Sequence, residues 1–353
     1  MARVKEADYL YLSTRIKAMS KALMPYSRLS AMAGADSGNE ALKVLAEEGW
    51  EAFDPGDLRA LESRIDAKRS ETLAFLLRYA PDRRVVDLFR LKYDYHNIKA
   101  LVKSAVLGSD ESTLYTEAGT VSLDALPGAL ASGEGISPVM KEAYDRALAV
   151  LREQGDPQRS DMILDAALYS QMLAMARSMR STFLAGYTRL AIDAGNLRSF
   201  VRLVRLYPSH EVQAGTQAGT QAGAQAGAQT DASRDFLAAA LIDGGDVSKK
   251  YILSQNRTPK EVIALFEPAL KDACREAQLA LEGQTLTALD KACDNTLIAY
   301  MGAAHKSLYG QAHIASFLYA KEQEFTAIRT VMTCFKYGLN QAEILEKLRY
   351  SYV

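Results

Sequence analysis

The sequence has little of what would indicate a secreted fold. Its 353 residues include three cysteines, Cys274, Cys293 and Cys334, and no C-x-x-C pair. Three scattered cysteines are too few for a disulfide framework, so we interpret them as small buried hydrophobic residues in a reducing, cytoplasmic compartment. The N-terminal segment carries charges throughout and has no apolar core, unlike a signal peptide.

An excess of charge and a long apolar run are also missing. Lys and Arg total 42 while Asp and Glu total 43, and the pI is about 6.5. Without a positive field, the chain lacks the phosphate contacts that drive nucleic-acid binding, so we predict no nucleic-acid partner. No apolar run approaches the roughly 18–20 residues that span a bilayer, so we expect membrane association only through a partner.

Signatures of catalysis and of nucleotide or metal binding are absent too. The sequence contains no P-loop, G-x-G-x-x-G, H-E-x-x-H or G-x-S-x-G motif. His305 and His313 are eight residues apart, but no acidic residue or cysteine joins them at ligand spacing. The segment 243–246 (DGGD) lacks the longer spacing of a calcium loop and predicts a turn between helices. We therefore predict no metal, no cofactor and no small-molecule ligand.

Helical periodicity, in contrast, is abundant. Prolines fall at segment edges, where helices tolerate them. Thr258 and Pro259 followed by Glu261 are typical of a capped helix start, and Ser137 with Pro138 resembles them. Period-two alternation is absent, so we predict an all-α fold. Apolar residues recur with i, i+3, i+4, i+7 spacing in the segments 70–80, 164–179, 188–207, 268–283 and 324–338.

The N-terminal segment 3–24 has a mixed helical pattern. Leu10, Ile16, Met19 and Leu23 add apolar weight to it. A mixed stripe is formed by Val4, Ala7, Tyr11, Thr14 or Arg15, Ala18, and Ala22 or Leu23.

Low complexity is confined to residues 213–229, which read QAGTQAGTQAGAQAGAQ. Glycine at every fourth position costs a helix about 1 kcal/mol each, and nothing in this tract can bury a core. We predict a flexible, solvated linker or insertion here.

Internal repeats organise the rest of the chain. The segment 119–122 (GTVS) recurs as 245–248 (GDVS), and 164–174 (LDAALYSQMLA) recurs as 289–299 (LDKACDNTLIA). We therefore predict three helical repeat units at 1–115, 116–212 and 230–353, with the 213–229 tract at a junction, where an insertion costs least.

A nine-residue motif occurs once in each unit, at 94–102 (DYHNIKALV), 193–201 (DAGNLRSFV) and 324–332 (EFTAIRTVM). Each copy has an acidic residue, then Asn or Ala, an aliphatic residue, a base and an apolar pair. An acidic residue also precedes each copy by about thirty positions: Glu62, Asp165 and Asp290. The motif residues are Asp94, Asn97, Lys99, Asp193, Asn196, Arg198, Glu324 and Arg329, with Ala327 at the third Asn position.

The first copy lies within KYDYHNIKALVK (92–103), where Asp94 and His96 suggest an acid–base pair. However, the position of His96 holds Gly195 and then Thr326 in the other copies. What all copies retain is what helix packing needs. An acidic group near a helix N-terminus is favoured by the helix dipole, and it can also pair with the base five residues on or with a neighbouring helix. We interpret the motif as structural.

Three segments together resemble the C subunit of bacterial and archaeal V/A-type ATPases, the counterpart of the eukaryotic d subunit. They are 11–24 (YLSTRIKAMSKALM), 90–103 (RLKYDYHNIKALVK) and 317–353, which ends in the family's G-L-x-x-x-x-I pattern. The 213–229 tract is not expected in that family, and an Asn is more typical at Ala327.

The resemblance implies three similar helical bundles in a pseudo-threefold, funnel-shaped arrangement. It implies a non-catalytic central-stalk subunit on the cytoplasmic face of the membrane, which joins the D–F shaft to the proteolipid ring for H⁺ or Na⁺ transport or for ATP synthesis. Contact with the membrane would run through the ring alone.

Two other functions remain open from the sequence. One is a freestanding helical repeat scaffold for soluble partners. The other is an enzyme that uses Asp94 and His96. Neither the ion nor the direction of the reaction follows from the residues.

Overall fold

A computed structural model describes residues 4–108, 114–206, 234–254, 256–306 and 309–351. Throughout these ranges the regular secondary structure is helical and no β-strand occurs, which confirms the all-α prediction. Among the described helices, none has the length and apolar character needed to cross a bilayer. The tract 213–229 lies outside the described residues, so its predicted linker role stays a prediction.

The described α-helices are numbered here in chain order. They are α1 (Leu10–Ser20), α2 (Tyr26–Ala33), α3 (Gly38–Glu47), α4 (Leu58–Tyr79), α5 (Arg84–Leu107), α6 (Leu126–Ser132), α7 (Pro138–Gln154), α8 (Pro157–Ser178), α9 (Thr182–Leu206), α10 (234–240), α11 (Lys249–Ile252), α12 (Pro259–Ala264), α13 (Glu267–Leu281), α14 (Leu286–Gly302), α15 (Gln311–Lys336) and α16 (Gln341–Lys347).

The helix starts follow the predicted capping chemistry. Thr258 accepts a hydrogen bond from the backbone N–H of Glu261, and the Glu261 carboxylate in turn accepts from the Thr258 N–H at 2.7 Å. Ser137 accepts from the N–H of Met140 at 3.1 Å, with Pro138 as the first helical residue. Each cap satisfies N–H groups that would otherwise lack a helical partner.

The chain forms two compact units, and the boundaries fall inside α5 and α14. The first unit comprises residues 1–91, 118–120 and 294–353. Its long helix α15 packs against α1, α2, α3, α4 and α16. The second unit comprises residues 92–117 and 121–293, in which α8 packs against α7 and α9, and α9 packs against α13. The three repeat units stay a prediction, since they rest on sequence similarity.

The core of the first unit is centred on the buried ring of Phe325. The Trp50 ring meets it edge-on, with centroids 6.2 Å apart. The guanidinium of Arg69 lies 5.6 Å from its centroid and also donates to the Glu322 carboxylate at 3.0 Å. Aromatic and cation–π contacts therefore connect α4, α15 and the segment after α3, which carries Trp50, around one side chain.

The second unit is organised around α9, which is buried on nearly every side. Apolar, small and polar residues all contribute to its buried surface, as expected for a helix enclosed by neighbours. By contrast α7 buries one stripe, Met140, Ala143, Ala147 and Leu151. The cysteines Cys274, Cys293 and Cys334 are buried and free, as predicted, and burial raises the pKa of the Cys274 thiol to about 12.

The buried face of the N-terminal helix matches the sequence pattern only in part, through Ile16. Leu12, Ser13 and Ile16 are the buried residues of α1. Tyr11 and Ala18, which belong to the mixed stripe of the sequence, are exposed. The pattern contains two partly apolar faces, and only packing against α15 decides which one becomes core.

We expect Phe325→Ala to destabilise the first unit by about 3–5 kcal/mol, because the substitution removes a buried ring and leaves a cavity. Urea unfolding measures this loss. Tyr337→Ala is the control, since that ring is 70% exposed and its loss should change stability by less than about 0.5 kcal/mol. Equal losses for the two variants would contradict this account of the core.

Candidate functional site

The first copy of the repeated motif fastens α5 to the segment that follows it. Asp94 and Asn97 lie one helical turn apart and are fully buried. The Asn97 amide donates to the Thr116 carbonyl at 2.8 Å and accepts from the Thr116 N–H at 3.0 Å. The Asp94 carboxylate accepts from the N–H of Val121 at 3.1 Å. The helix therefore holds the returning backbone at two points.

The second copy makes the same contacts from α9. The Asn196 amide donates to the Ile242 carbonyl and accepts from the Ile242 N–H, both at 2.8 Å. The Asp193 carboxylate accepts from the N–H groups of Asp246 at 2.9 Å and Val247 at 3.2 Å. In both copies the Asn amide bonds to both the N–H and the carbonyl of one loop residue. The Asp carboxylate accepts hydrogen bonds from backbone N–H groups farther along the chain.

The two kinds of repeat found in the sequence, the nine-residue motif and the GTVS and GDVS segments, therefore contact each other in the structure. Val121 and Val247 are the valines of GTVS and GDVS, and these are the segments that the buried acids hold. Gly245 shows why such a segment needs a glycine, because an added Cβ would lie 2.1 Å from Oδ1 of Asp193. A side chain at Gly245 would push the carboxylate off its donors.

The third copy is simplified. The buried Glu324 of α15 accepts from the backbone N–H of Met24 at 3.0 Å, and its other oxygen lies 3.0 Å from Nζ of Lys321. Ala327 occupies the Asn position and has no side-chain amide. A longer acid reaches the backbone here, while the two-point attachment of the other copies is reduced to one point.

The base of each motif copy pairs with the acidic residue of a neighbouring helix. Lys99 donates to Asp165 at 2.7 Å, and Arg329 donates to Glu62 at 2.7 Å. These acids belong to the set that the sequence places about thirty residues before the motifs. The pairs are partly exposed, so each is worth only about 0–1 kcal/mol. They set the register between helices more than they add stability.

The base of the second copy, Arg198, contacts both the backbone and the side chain of its acidic partner. Arg198 donates to the backbone carbonyl of Asp290 at 2.8 Å, and its guanidinium lies 3.2 Å from the Asp290 carboxylate. Arg202, one turn later, donates to both carboxylate oxygens of Asp290. Asp290 therefore receives two guanidinium groups from α9.

One reason given for the acidic positions is wrong. The sequence suggested that the acids sit near a helix N-terminus, where the dipole favours negative charge. Asp94, Asp193 and Glu324 instead lie well inside α5, α9 and α15, where the effect of the dipole has died away. Backbone N–H groups from other segments take the place of the helix end as donors.

Asp94 and His96, the suggested acid–base pair of the first copy, do not form a shared site. Asp94 is buried, whereas His96 is exposed, and its ring nitrogen Nε2 lies 2.8 Å from the carbonyl oxygen of Leu114. Residues two apart on a helix do not face each other. Tyr95 is buried, its hydroxyl bonds to Gln171 at 2.9 Å, and burial raises its pKa well above the usual value.

Asp193 has the most perturbed carboxyl group of the motif residues whose pKa shift is resolved. Burial raises its pKa to about 6, the nearby Asp246 carboxylate adds to the rise, and the two N–H donors and Arg189 oppose it. Desolvation penalises the charged form more than these contacts favour it.

Sequence reasoning missed the arginine that precedes the acid in two copies. Arg90 donates to the Ala118 carbonyl at 3.1 Å and also to that of Gly119. Arg189 holds the equivalent position, four residues before Asp193, and its Nε lies 2.9 Å from Oδ1 of Asp246. Their common spacing from the acid was the signal available in the sequence.

The motif carboxylates Asp94, Asp193 and Glu324 are buried and accept hydrogen bonds from backbone N–H groups. Within the described ranges, no group of three or more His, Cys, Asp or Glu side chains is placed to hold a metal ion. The segment 243–246 serves as the turn that Asp193 holds. The motif residues of α5 and α9 therefore hold loops against these helices by hydrogen bonds.

Comparison with known proteins identifies similar chains. A family model described as ATP synthase (C/AC39) subunit matches residues 12–217 and 224–347, with its interruption inside the 213–229 tract. The C subunit of the V-type sodium ATPase of Enterococcus hirae is 21% identical over 316 residues, 86% of this chain and 85% of that protein. The C subunit of the V-type ATP synthase of Deinococcus radiodurans is 24% identical over 210 residues, 54% of this chain and 58% of that protein.

We expect Asn97→Ala to cost about 1–3 kcal/mol, because it removes two hydrogen bonds that a fully buried side chain makes with the backbone of Thr116. His96→Ala is the matched control from the adjacent position, and it should cost less than about 1 kcal/mol because His96 is exposed. Urea unfolding of both variants measures the difference. A larger loss for His96→Ala than for Asn97→Ala would overturn the structural interpretation of the motif.

The pKa of Asp193 predicts a pH dependence of stability. Between the usual aspartate pKa near 4 and the folded value of about 6, the folded state holds a proton that the unfolded state has lost. The contribution is therefore fully present below pH 4 and is lost as the pH rises through 6, by roughly 3 kcal/mol in all.

Asp193→Asn removes this titration. The difference in unfolding free energy between the unmodified chain and the variant should fall steadily from pH 4 to pH 7 and then level off. Urea unfolding at each pH measures it. A difference that stays constant or rises over this range would show that burial does not dominate at Asp193.

Proposed function

This chain belongs to the ATP synthase (C/AC39) subunit family, and we propose that it is the non-catalytic central-stalk subunit of a V/A-type rotary ATPase. In this role it joins the D–F shaft to the membrane proteolipid ring. The observation that carries the proposal is the family match, which runs through nearly the whole chain and confirms the resemblance of the three ordered sequence segments.

The buried motif contacts support a mechanical role. A part that transmits rotation must resist twisting, and packed helical interiors resist deformation. In α5 and α9 a buried amide and a buried carboxylate each tie the helix to a loop through hydrogen bonds. Such bonds are costly to break because the buried side-chain group would be left unsatisfied away from water.

We also propose that the three motif helices mark three related units, residues 1–115, 116–212 and 230–353. The support is the equivalence of the contacts in the first two copies, to which Glu324 of the third adds one contact of a buried acid with a backbone N–H. Asn97 and Asn196 hold residues five positions before Val121 and Val247, which the buried acids hold. Two independent segments would have little reason to reproduce both contacts and their spacing.

In the complex, the subunit would sit on the cytoplasmic face of the membrane and reach it only through the ring. The complex would move H⁺ or Na⁺ during ATP hydrolysis or make ATP in the reverse direction. The names of the relatives include both activities: one belongs to a sodium ATPase and the other to an ATP synthase.

Membrane vesicles that carry the cognate complex without this chain test the proposal. Full-length chain is added back, and ATP hydrolysis and ATP-dependent ion uptake are measured together. We expect ion uptake to depend on the added chain, because shaft and ring are otherwise unconnected.

Equal ion uptake with and without the chain would contradict the coupling role. A failure of the purified chain to bind either the D–F shaft or the ring would contradict it as well. Binding only to proteins outside the complex would instead favour a freestanding scaffold.

A further inference from the structure

The exposed side of α1 forms one surface with the end of α4. Tyr11 of α1 lies 5.5 Å from Tyr79 between ring centroids, and Phe75 lies 5.1 Å from Tyr79. The guanidinium of Arg15 is 5.8 Å from the Phe75 ring, and that of Arg78 is 5.4 Å from the Tyr79 ring. These five residues are called the α1–α4 aromatic surface.

This surface is accessible although it is largely aromatic. The Tyr11 side chain is 56% exposed, Tyr79 is 36% exposed and Leu10 beside Tyr11 is 55% exposed. A single exposed ring is ordinary, but here Tyr79 contacts two further rings and two guanidinium groups lie beside them, which makes a contiguous patch. Tyrosine and arginine are also the residue types enriched at protein–protein contacts.

The surface carries positive charge without compensation. Between Asp8 and Asp36 the sequence has no acidic residue. Arg15, Arg78 and Lys17 form no ion pair with any carboxylate in the part of the chain that the structure describes. Arg28, by contrast, pairs with Glu47 and Glu48. The cations beside the rings are therefore free to receive negative charge from a partner.

The geometry suits carboxylates carried on a protein. A guanidinium stacked on a ring keeps its N–H edge available, and that edge matches a carboxylate in a two-bond geometry. The rings have little side-chain entropy to lose and already support one another, so a partner would order few groups on binding.

We propose that the α1–α4 aromatic surface is a docking site for an acidic face of another subunit of the complex. The inference rests on the proposed function, because it names the surface by which the chain joins that complex. Carboxylates of the partner would bind Arg15 and Arg78, and its apolar atoms would cover the rings of Tyr11 and Tyr79. The charges would make the association sensitive to salt.

The test measures binding of full-length chain to the cognate complex stripped of this subunit. Two double variants are compared with the unmodified chain: Arg15→Glu with Arg78→Glu, and Tyr11→Ser with Tyr79→Ser. We expect each to weaken binding at least tenfold, with unchanged helical circular dichroism and melting temperature. Binding of the unmodified chain should also weaken as salt is raised.

The matched control is an aromatic–cation pair elsewhere. Tyr251 is 54% exposed, and the Arg257 guanidinium lies 5.4 Å from its ring. Tyr251→Ser with Arg257→Glu changes the same kinds of group and should leave binding within about twofold of the unmodified chain, as for surface substitutions outside an interface. An equal loss in this control would show that the effect is not specific to the α1–α4 aromatic surface and would overturn the inference.

The remaining outcomes separate this inference from the proposed function. If the unmodified chain binds and both α1–α4 double variants bind equally well, the surface is not the docking site, while the proposed function stands. If the unmodified chain does not bind, both fail. The alternative occupant of the surface is a lipid membrane, which vesicles of phosphatidylcholine with phosphatidylserine represent. Binding to them that depends on Arg15 and Arg78, without an effect on binding to the complex, would assign the surface to lipid and overturn the inference.

Discussion

The fold depends on buried polar side chains that satisfy the backbone of loops. A loop that packs against a helix carries N–H and C=O groups with no helical partner, and a buried polar side chain that faces it is costly to leave unsatisfied. Asn97 and Asn196 supply both a donor and an acceptor to one loop residue, while Asp94 and Asp193 receive N–H groups farther on. Helix packing provides most of the buried area, and these contacts decide which loop lies on which helix.

The same device explains how the copies can differ. Asp193 lies against Gly245 so closely that a side chain there would displace its carboxylate. Glu324 reaches the N–H of Met24 with a longer side chain, and Ala327 does without the amide. A hydrogen bond to a backbone N–H does not depend on the side chain of the residue that donates it. The attachment can therefore persist while the surrounding sequence diverges.

Interior and surface polar groups have opposite roles in this chain. The buried carboxylates accept hydrogen bonds from backbone N–H groups of the same chain, and such bonds help the chain keep its shape. The unpaired cations lie outside, where Arg15 and Arg78 stack on the rings of Phe75 and Tyr79. The proposed connecting role would use both features, since internal hydrogen bonds keep the shape and exposed charge is available to a partner.

The sequence by itself determined the all-α fold, the helix starts at Ser137 and Thr258, the repeated motif and the family, because helical periodicity, capping and repeats are local patterns in the chain. It could not tell that GTVS and GDVS are the partners of Asp94 and Asp193, since those contacts join positions tens of residues apart. Nor could it decide which apolar face of α1 becomes core. Only tertiary packing makes that choice, because both faces have a suitable pattern and burial depends on what α15 presents.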